Sequence, residues 1–432
     1  MGLNVSLEKI KSGFLPSFWV ANIMELFERV AYYGQAAVLS IFLRDHLKFD
    51  EVDAGMLASI FGFLIYFLPI FAGALADRFG FRKSFSFAFF VLCIGYFLIG
   101  ATGMPFFSNI FPDESLFMVL TVILIFTAIG GSFIKPSVLG TVALTTTKET
   151  KSFGYAIYYW LVNIGGALGP TIAFFMRDLI GIQSVYLVSS VSCLLMLIST
   201  LVFYKEPETE VKRDSISLLK TFQNLLLVLT NFRFIIFLLI FSIYWLLFWH
   251  IYVVIPFYLT DYIAKDAPFE LIISVGAYGI ILFQLFVNRL TKNVAPITAI
   301  IAGFFISSLS WLIIMVHPSM PTIIAGVFVL SLGEMTQAPR YYEYIADLAP
   351  KGQIALFQGY AFLPVAIGWL FGGNLGGWLY KTFARDSNNP EFIFYILFGI
   401  GLASTIFMIM YNYFLKHRPG IASISAAKQE ES

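Results

Sequence analysis

Apolar runs of roughly twenty residues recur about twelve times along this chain, separated by short polar stretches. A run of that length is what an α-helix needs to cross the hydrocarbon core of a bilayer. A transmembrane barrel would instead alternate over strands of about ten residues, and that pattern is missing. With 59% of its residues hydrophobic and 12% charged, the chain lacks the charged surface of a soluble protein of its size. The sequence therefore predicts an all-α polytopic membrane protein. Its 48 phenylalanines read first as apolar filler for lipid-facing helices.

The expected spans cover about 17–43, 54–75, 84–104, 116–144, 155–176, 183–204, 233–260, 269–289, 295–316, 320–346, 354–381 and 391–415. The longest break, 205–232, is rich in charge and divides them six and six. This predicts a tail at 1–16, a six-helix bundle at 17–204, a linker at 205–232, a second bundle at 233–415 and a tail at 416–432. Two such halves are expected to be pseudo-symmetric about a central cavity. Of the 27 Lys and Arg residues, 18 fall with the tails and linker and six on the other side. Arg29, Lys135 and Arg340 lie at membrane depth. That excess places both termini in the cytoplasm, and a prokaryotic cell or inner membrane is the expected location.

A net charge of +1 gives no reason to expect a nucleic-acid partner. Cys93 and Cys193 lie inside spans and no Cys/His cluster has ligand spacing, so neither a disulfide framework nor a metal is expected. No nucleophile–base set or phosphate loop suggests an enzyme or an organic cofactor. The expected partners are the lipid bilayer and a small-molecule solute, with the protein working as a monomer.

Charges inside the spans are expensive in hydrocarbon and call for a reason. In "ELFERVAYYG", helical spacing puts Glu25, Glu28, Arg29 and Tyr32 on one face, flanked by Tyr33. Arg29 can pair with Glu25 one turn earlier, leaving Glu28 as a second carboxylate nearby. A static staple between helices needs one acid and one base. Two acids around one base can take up and release a proton as the helices move.

The fourth span carries Lys135 between Gly130-Gly131 and Pro136, where the glycines permit close helix approach. The fifth offers Tyr155, Tyr158, Tyr159 and Asn163, the last also readable as a plain interhelical hydrogen bond. In the tenth, Glu334 falls near mid-membrane, while Arg340 and Glu343 are expected to pair with each other as a gate or packing pair. A cavity between the halves would suit a zwitterion, its carboxylate near Arg29 and Lys135 and its amine near Glu334. His250, the one histidine in a span, reads either as a proton relay or as a satisfied packing residue.

Between the second and third spans, "GALADRFGFRK" resembles the signature loop of the major facilitator superfamily. There Asp77 ends a helix against a neighbouring terminus, and Arg78, Arg82 and Lys83 hold the cytoplasmic face. "VNRLTKN" is a degenerate echo at the equivalent point of the second half. The first-span motif is similar to E-x-x-E-R-F-x-Y-Y-G of the proton-dependent oligopeptide transporter family, with Val30 in place of Phe. Lys135-Pro136 is similar to that family's fourth-helix motif, and Tyr158, Tyr159, Asn163 and Gly165 to its fifth. Gly333-Glu334, Ala338-Pro339 and Leu348-Ala349-Pro350 match the tenth.

The resemblance implies the twelve-helix major facilitator fold, alternating access and proton-driven import of di- or tripeptides. It implies that Glu25, Glu28, Arg29 and Lys135 couple the proton, and that Arg29 and Lys135 receive the substrate carboxylate. Tyr32, Tyr33, Tyr158 and Asn163 would line the pocket, and Glu334 would hold the amine.

Several positions depart from the family's pattern. Gln35, Ala36 and Ala37 follow the Y-Y-G where a base is frequent, and "WLLFWHIYVV" replaces an acidic or glutamine-containing stretch. "GAYGII" stands at an Asn-Pro region, Arg340 replaces a small apolar residue, and two inserted helices of many bacterial members are missing. The expectation is a proton-coupled symporter for small zwitterions, peptides foremost, with a rewritten pocket. The alternatives are a facilitator of another polar solute or drug that uses the same cluster, and a non-transporting nutrient sensor.

Overall fold

The computed structural model describes residues 13–108, 113–147, 149–207, 218–349 and 354–416. Most of both tails, the centre of the linker and Pro350 lie outside the described residues. Ten described helices are long and apolar enough to cross a bilayer, and a pair bent by 44°, Glu51–Phe67 and Pro69–Phe79, makes an eleventh. Pro16–Ile41 also has the length, at 26 residues, but carries Glu25, Glu28 and Arg29. With it the number fits the expected twelve.

In chain order the first six spans are Pro16–Ile41, Glu51–Phe67 with Pro69–Phe79, Phe81–Thr102, Asp113–Ser132 with Ile134–Leu144, Lys151–Leu179, and Gln183–Val202. The last six are Phe232–Tyr258, Phe269–Thr291, Pro296–Val316, Met320–Leu348, Leu363–Leu379 and Phe392–Lys416. Successive spans alternate in direction. The ends near Pro16, Phe79, Lys151 and Lys416 thus share one face, here called the terminal face, and those near Ile41 and Leu379 share the opposite one.

Breaks and caps follow local chemistry. Pro69 ends the first part of the second span, and the fourth breaks at Phe133, three residues before Pro136. Asp50 caps Glu51–Phe67 by accepting from the Asp53 N–H at 2.8 Å. Asp77 and Arg78 sit in the last turn of Pro69–Phe79, which closes at Gly80 with φ +90°. The next helix opens on an acid from the end of the sixth span. Phe81 N–H and Arg82 N–H donate to the Glu206 carboxylate at 2.9 and 2.7 Å, where a helix N-terminus favours negative charge.

Small residues let the spans touch, as expected where lipid gives no hydrophobic drive for helix association. A Cβ on Gly34 would sit 3.0 Å from the Gly169 carbonyl oxygen, so the first and fifth spans meet backbone to backbone. The halves join along the second and eleventh spans, where Asn374 N–H donates to Ser59 Oγ at 2.9 Å.

On the opposite face a network of ions ties the halves together. Arg44 donates to Asp261 at 2.9 and 3.1 Å, and Arg385 reaches Asp261 at 2.9 Å and Glu51 at 2.7 Å. Tyr380 donates to Asp261 at 2.6 Å, Lys381 meets Asp50 at 2.9 Å, and Arg177 meets Glu270 at 2.5 Å.

Candidate transport cavity

A cavity of about 750 Å³ lies between the halves. Tyr33, Tyr66, Lys135, Tyr158 and Asn163 come to its wall from the first half, and Trp245, Phe248, Glu334, Gln337 and Phe362 from the second. More than half of the lining residues are aromatic, and the charged ones are Lys135 and Glu334. The cavity extends toward the terminal face at Tyr155, Tyr342 and Gln358, while the ion network shuts the opposite face. A smaller adjoining space of about 70 Å³ shares Tyr33, Asn163 and Glu334 and reaches Gly276 and Ala277 of the eighth span.

Lys135 points its ammonium at rings. Its Nζ lies 4.1 Å from the Phe362 ring centre and 5.5 Å from that of Tyr66. Among the described residues no carboxylate pairs with it, although Glu25, Glu28 and Arg29 lie within electrostatic range. Glu334 has no cationic partner among the described residues either.

Behind this wall the first-span charges form a dry cluster. Glu25 and Glu28 are fully buried and Arg29 is 5% exposed. Arg29 Nε donates to Glu28 Oε2 at 2.5 Å, and its Nη2 also contacts that oxygen. Glu25 Oε1 lies 3.3 Å from Arg29 Nε without hydrogen-bond geometry. The expected Arg29–Glu25 pair is therefore the looser of two contacts, because the guanidinium fork holds both acids at once. Both oxygens of Glu25 and Oε1 of Glu28 lack a donor among the described residues. Two carboxylates thus share one guanidinium out of water, and a proton on either would supply a missing donor.

A sequence model of the Major Facilitator Superfamily matches residues 22–266 and 242–431. The chain belongs to that superfamily. Uncharacterized transporter YclF of Bacillus subtilis (strain 168) is 31% identical over 156 residues, covering 34% of this chain and 29% of that protein. Dipeptide and tripeptide permease B of Edwardsiella piscicida is 27% identical over 190 residues, covering 43% and 36%. The facilitator thus spans about a third of the length of these curated relatives.

Two solved structures share its fold along nearly the whole chain. A POT family transporter in complex with a thioalcohol-conjugated peptide superposes with a TM-score of 0.72 at 18% identity, covering 91% of this chain and 96% of that one. Peptide transporter POT in complex with sulfate gives 0.73 at 16%, covering 93% and 94%.

The facilitator's other singled-out residues divide between wall and frame. Tyr33, Tyr158 and Asn163 line the cavity, but Arg29 and Tyr32 lie one layer behind it. Arg29 is held by the two acids, 5.1 Å over the Tyr32 ring, and Tyr32 is wedged among Tyr33, Phe61 and Tyr66. Asn163 Nδ2 donates to Tyr159 O of its own helix at 2.8 Å. Arg340 pairs with Glu343 at 2.6 Å as spacing suggests, and its other arm caps the eighth span through Thr291 O at 2.6 Å. His250 is fully buried with Nδ1 2.7 Å from Leu246 O and Nε2 without a partner among the described residues, so its ring is only half satisfied.

Sequence reasoning missed two features of this facilitator. One is the ion network of the opposite face, whose members read only as scattered outer charges. The other is the aromatic lining. The spacing of Trp245, Phe248 and Trp249 was the available signal, since residues three and four apart share a helix face.

Proposed function

We propose that this protein is a proton-coupled symporter importing small zwitterionic solutes, di- and tripeptides foremost, by alternating access. The observation that carries this reading is Lys135, a cation without a carboxylate partner among the described residues, facing an open cavity with Glu334 also on its wall and the acid–acid–base cluster buried behind. The peptide-permease relatives and the peptide-bound neighbour support the choice of substrate. The Lys and Arg distribution supports a terminal face in the cytoplasm, and on this reading, in a prokaryotic cell or inner membrane, the structure corresponds to an inward-facing state.

In the cycle, a proton from outside settles on Glu25 or Glu28 and loosens their hold on Arg29. Lys135, with Arg29 once released, receives the substrate carboxylate, and Glu334 receives the amine. Tyr33, Tyr158 and Asn163 contact the solute at the wall. Proton and solute together favour the occluded state, so each strengthens binding of the other by the same factor. Asp77, Arg78, Arg340 and Glu343 belong to the frame and the gate at the cytoplasmic side. Protons are the coupling ion, no cofactor takes part, and one copy in the bilayer suffices.

The Glu28→Gln variant tests the scheme. It should keep counterflow exchange of labelled substrate while gradient-driven accumulation falls to the level seen without a gradient. Accumulation at the wild-type rate would rule out the assigned coupling role.

A further inference from the structure

The seventh span turns toward the cavity a face that the coupling chemistry does not use. Trp245 and Phe248 are half-buried on the wall, and Trp249 joins them there at 2% exposure. The Trp245 and Trp249 ring centres are 5.7 Å apart with planes inclined by 26°. Trp249 in turn stacks on Trp369 of the eleventh span at 4.2 Å and 22°. Phe248 stands edge-on to both seventh-span indoles, at 5.2 and 5.0 Å. The wall is thus a column of rings shared by two spans, each ring held by the next.

Such a surface discriminates. Its indole N–H groups at Trp245 and Trp249 are buried and have no partner among the described residues, so what meets the cavity is ring face and edge. A small polar solute would leave that apolar surface wet, whereas a planar apolar body would remove it from water. Rigid rings also lose little freedom when a ligand settles on them. The faces of Phe362 and Tyr66 already lie under the Lys135 ammonium, and the remaining wall rings without a hydroxyl, Phe241, Trp245, Phe248 and Trp249, all belong to the seventh span. A cavity of about 750 Å³ has room for more than a dialanine, since small-molecule sites run from about 300 to 1,000 Å³.

We propose that Trp245 and Phe248, backed by Trp249, select the cargo: an amphipathic zwitterion bearing a planar aromatic side chain. Its carboxylate meets Lys135 and its ring lies against the seventh span. This rests on the symporter reading above and narrows it. It also gives a use to the ring-rich stretch "WLLFWHIYVV".

The test is equilibrium binding of dialanine, alanyl-phenylalanine and alanyl-tryptophan to the purified full chain in lipid nanodiscs, followed by gradient-driven uptake of the same three in liposomes. Alanyl-tryptophan should bind at least about tenfold more tightly than dialanine, a difference of about 1.4 kcal/mol. Trp245→Ala should bring that ratio close to one, and Trp245→Phe should keep most of it. If Trp245→Ala does not fold, Phe248→Leu, which keeps bulk but removes the ring, gives the same reading.

Equal affinities in the wild type, or a preference that survives these changes, would overturn the proposal. Binding needs no gradient, so the two readings can fail separately. An aromatic preference without gradient-driven uptake would discard proton coupling and keep the aromatic wall. No binding of any of the three would discard both.

Discussion

Lys135 holds its charge against two rings, while the acids nearest to it are committed to Arg29. Replacing it with Ala should abolish uphill uptake and leave counterflow exchange only at raised substrate concentration, because the carboxylate loses a charged partner, as measured in liposomes loaded with labelled substrate. Loss of the folded protein in that variant would instead make Lys135 a structural staple. Glu334→Gln should weaken binding of zwitterions by about tenfold to a hundredfold, the worth of a charge-assisted hydrogen bond of about 1.5–3 kcal/mol. A substrate analogue lacking its amine should bind as before, and equal losses for both would refute the assigned role.

At this scale much was legible, because Glu25, Glu28 and Arg29 are local in sequence and helix spacing decides what they share. What spacing could not decide was depth. Tyr32 and Tyr33 are neighbours in sequence, yet one faces the second span and the other the cavity. That choice depends on how the helix is rotated against its neighbours.

Elements meet where side chains are missing. A Cβ on Gly169 would lie 2.6 Å from Val30 O and 2.8 Å from Gly34 N, both backbone atoms of the first span. Neither can swing aside, so Gly169→Ala should push the first and fifth spans apart and destabilise the fold by about 1–3 kcal/mol. Thermal unfolding in detergent would show it, and an unchanged midpoint would mean that the contact is not tight. The positions of the spans were readable from apolar length, whereas the breaks before Pro69 and at Phe133 fall inside spans expected to be continuous. The cap that Glu206 gives to the third span was not readable either. It joins residues 124 and 125 apart, and nothing in either segment names the other.

The whole molecule is closed at one face and open at the other, and Asp261 is the point where the closed face converges. Arg44, Tyr380 and Arg385 all donate to it. Asp261→Ala would leave Arg44, at 6% exposure, with Asp45 as its remaining acid, a costly position for a desolvated charge. The equilibrium should shift toward states open at that face. Spin labels at positions 48 and 265, with Cys93 and Cys193 replaced, should report a longer distance in the variant than in its parent. An unchanged distance would show that the network does not hold the halves. This latch was illegible in the sequence because its partners lie 119 to 334 residues apart and the order of spans fixes no register between them. The two-sided charge of the cavity was legible, since lone charges in apolar spans stand out wherever they fall.

The most direct test of proton-coupled import uses the purified protein in liposomes with an inward proton gradient and a pH-sensitive dye inside. Dialanine, alanyl-tryptophan, single amino acids and a few sugars are added outside in turn. Internal acidification on adding a dipeptide, and none with sugars, is the expected result. Acidification by a sugar alone, or by none of the solutes, would contradict proton-coupled import of peptide-like zwitterions.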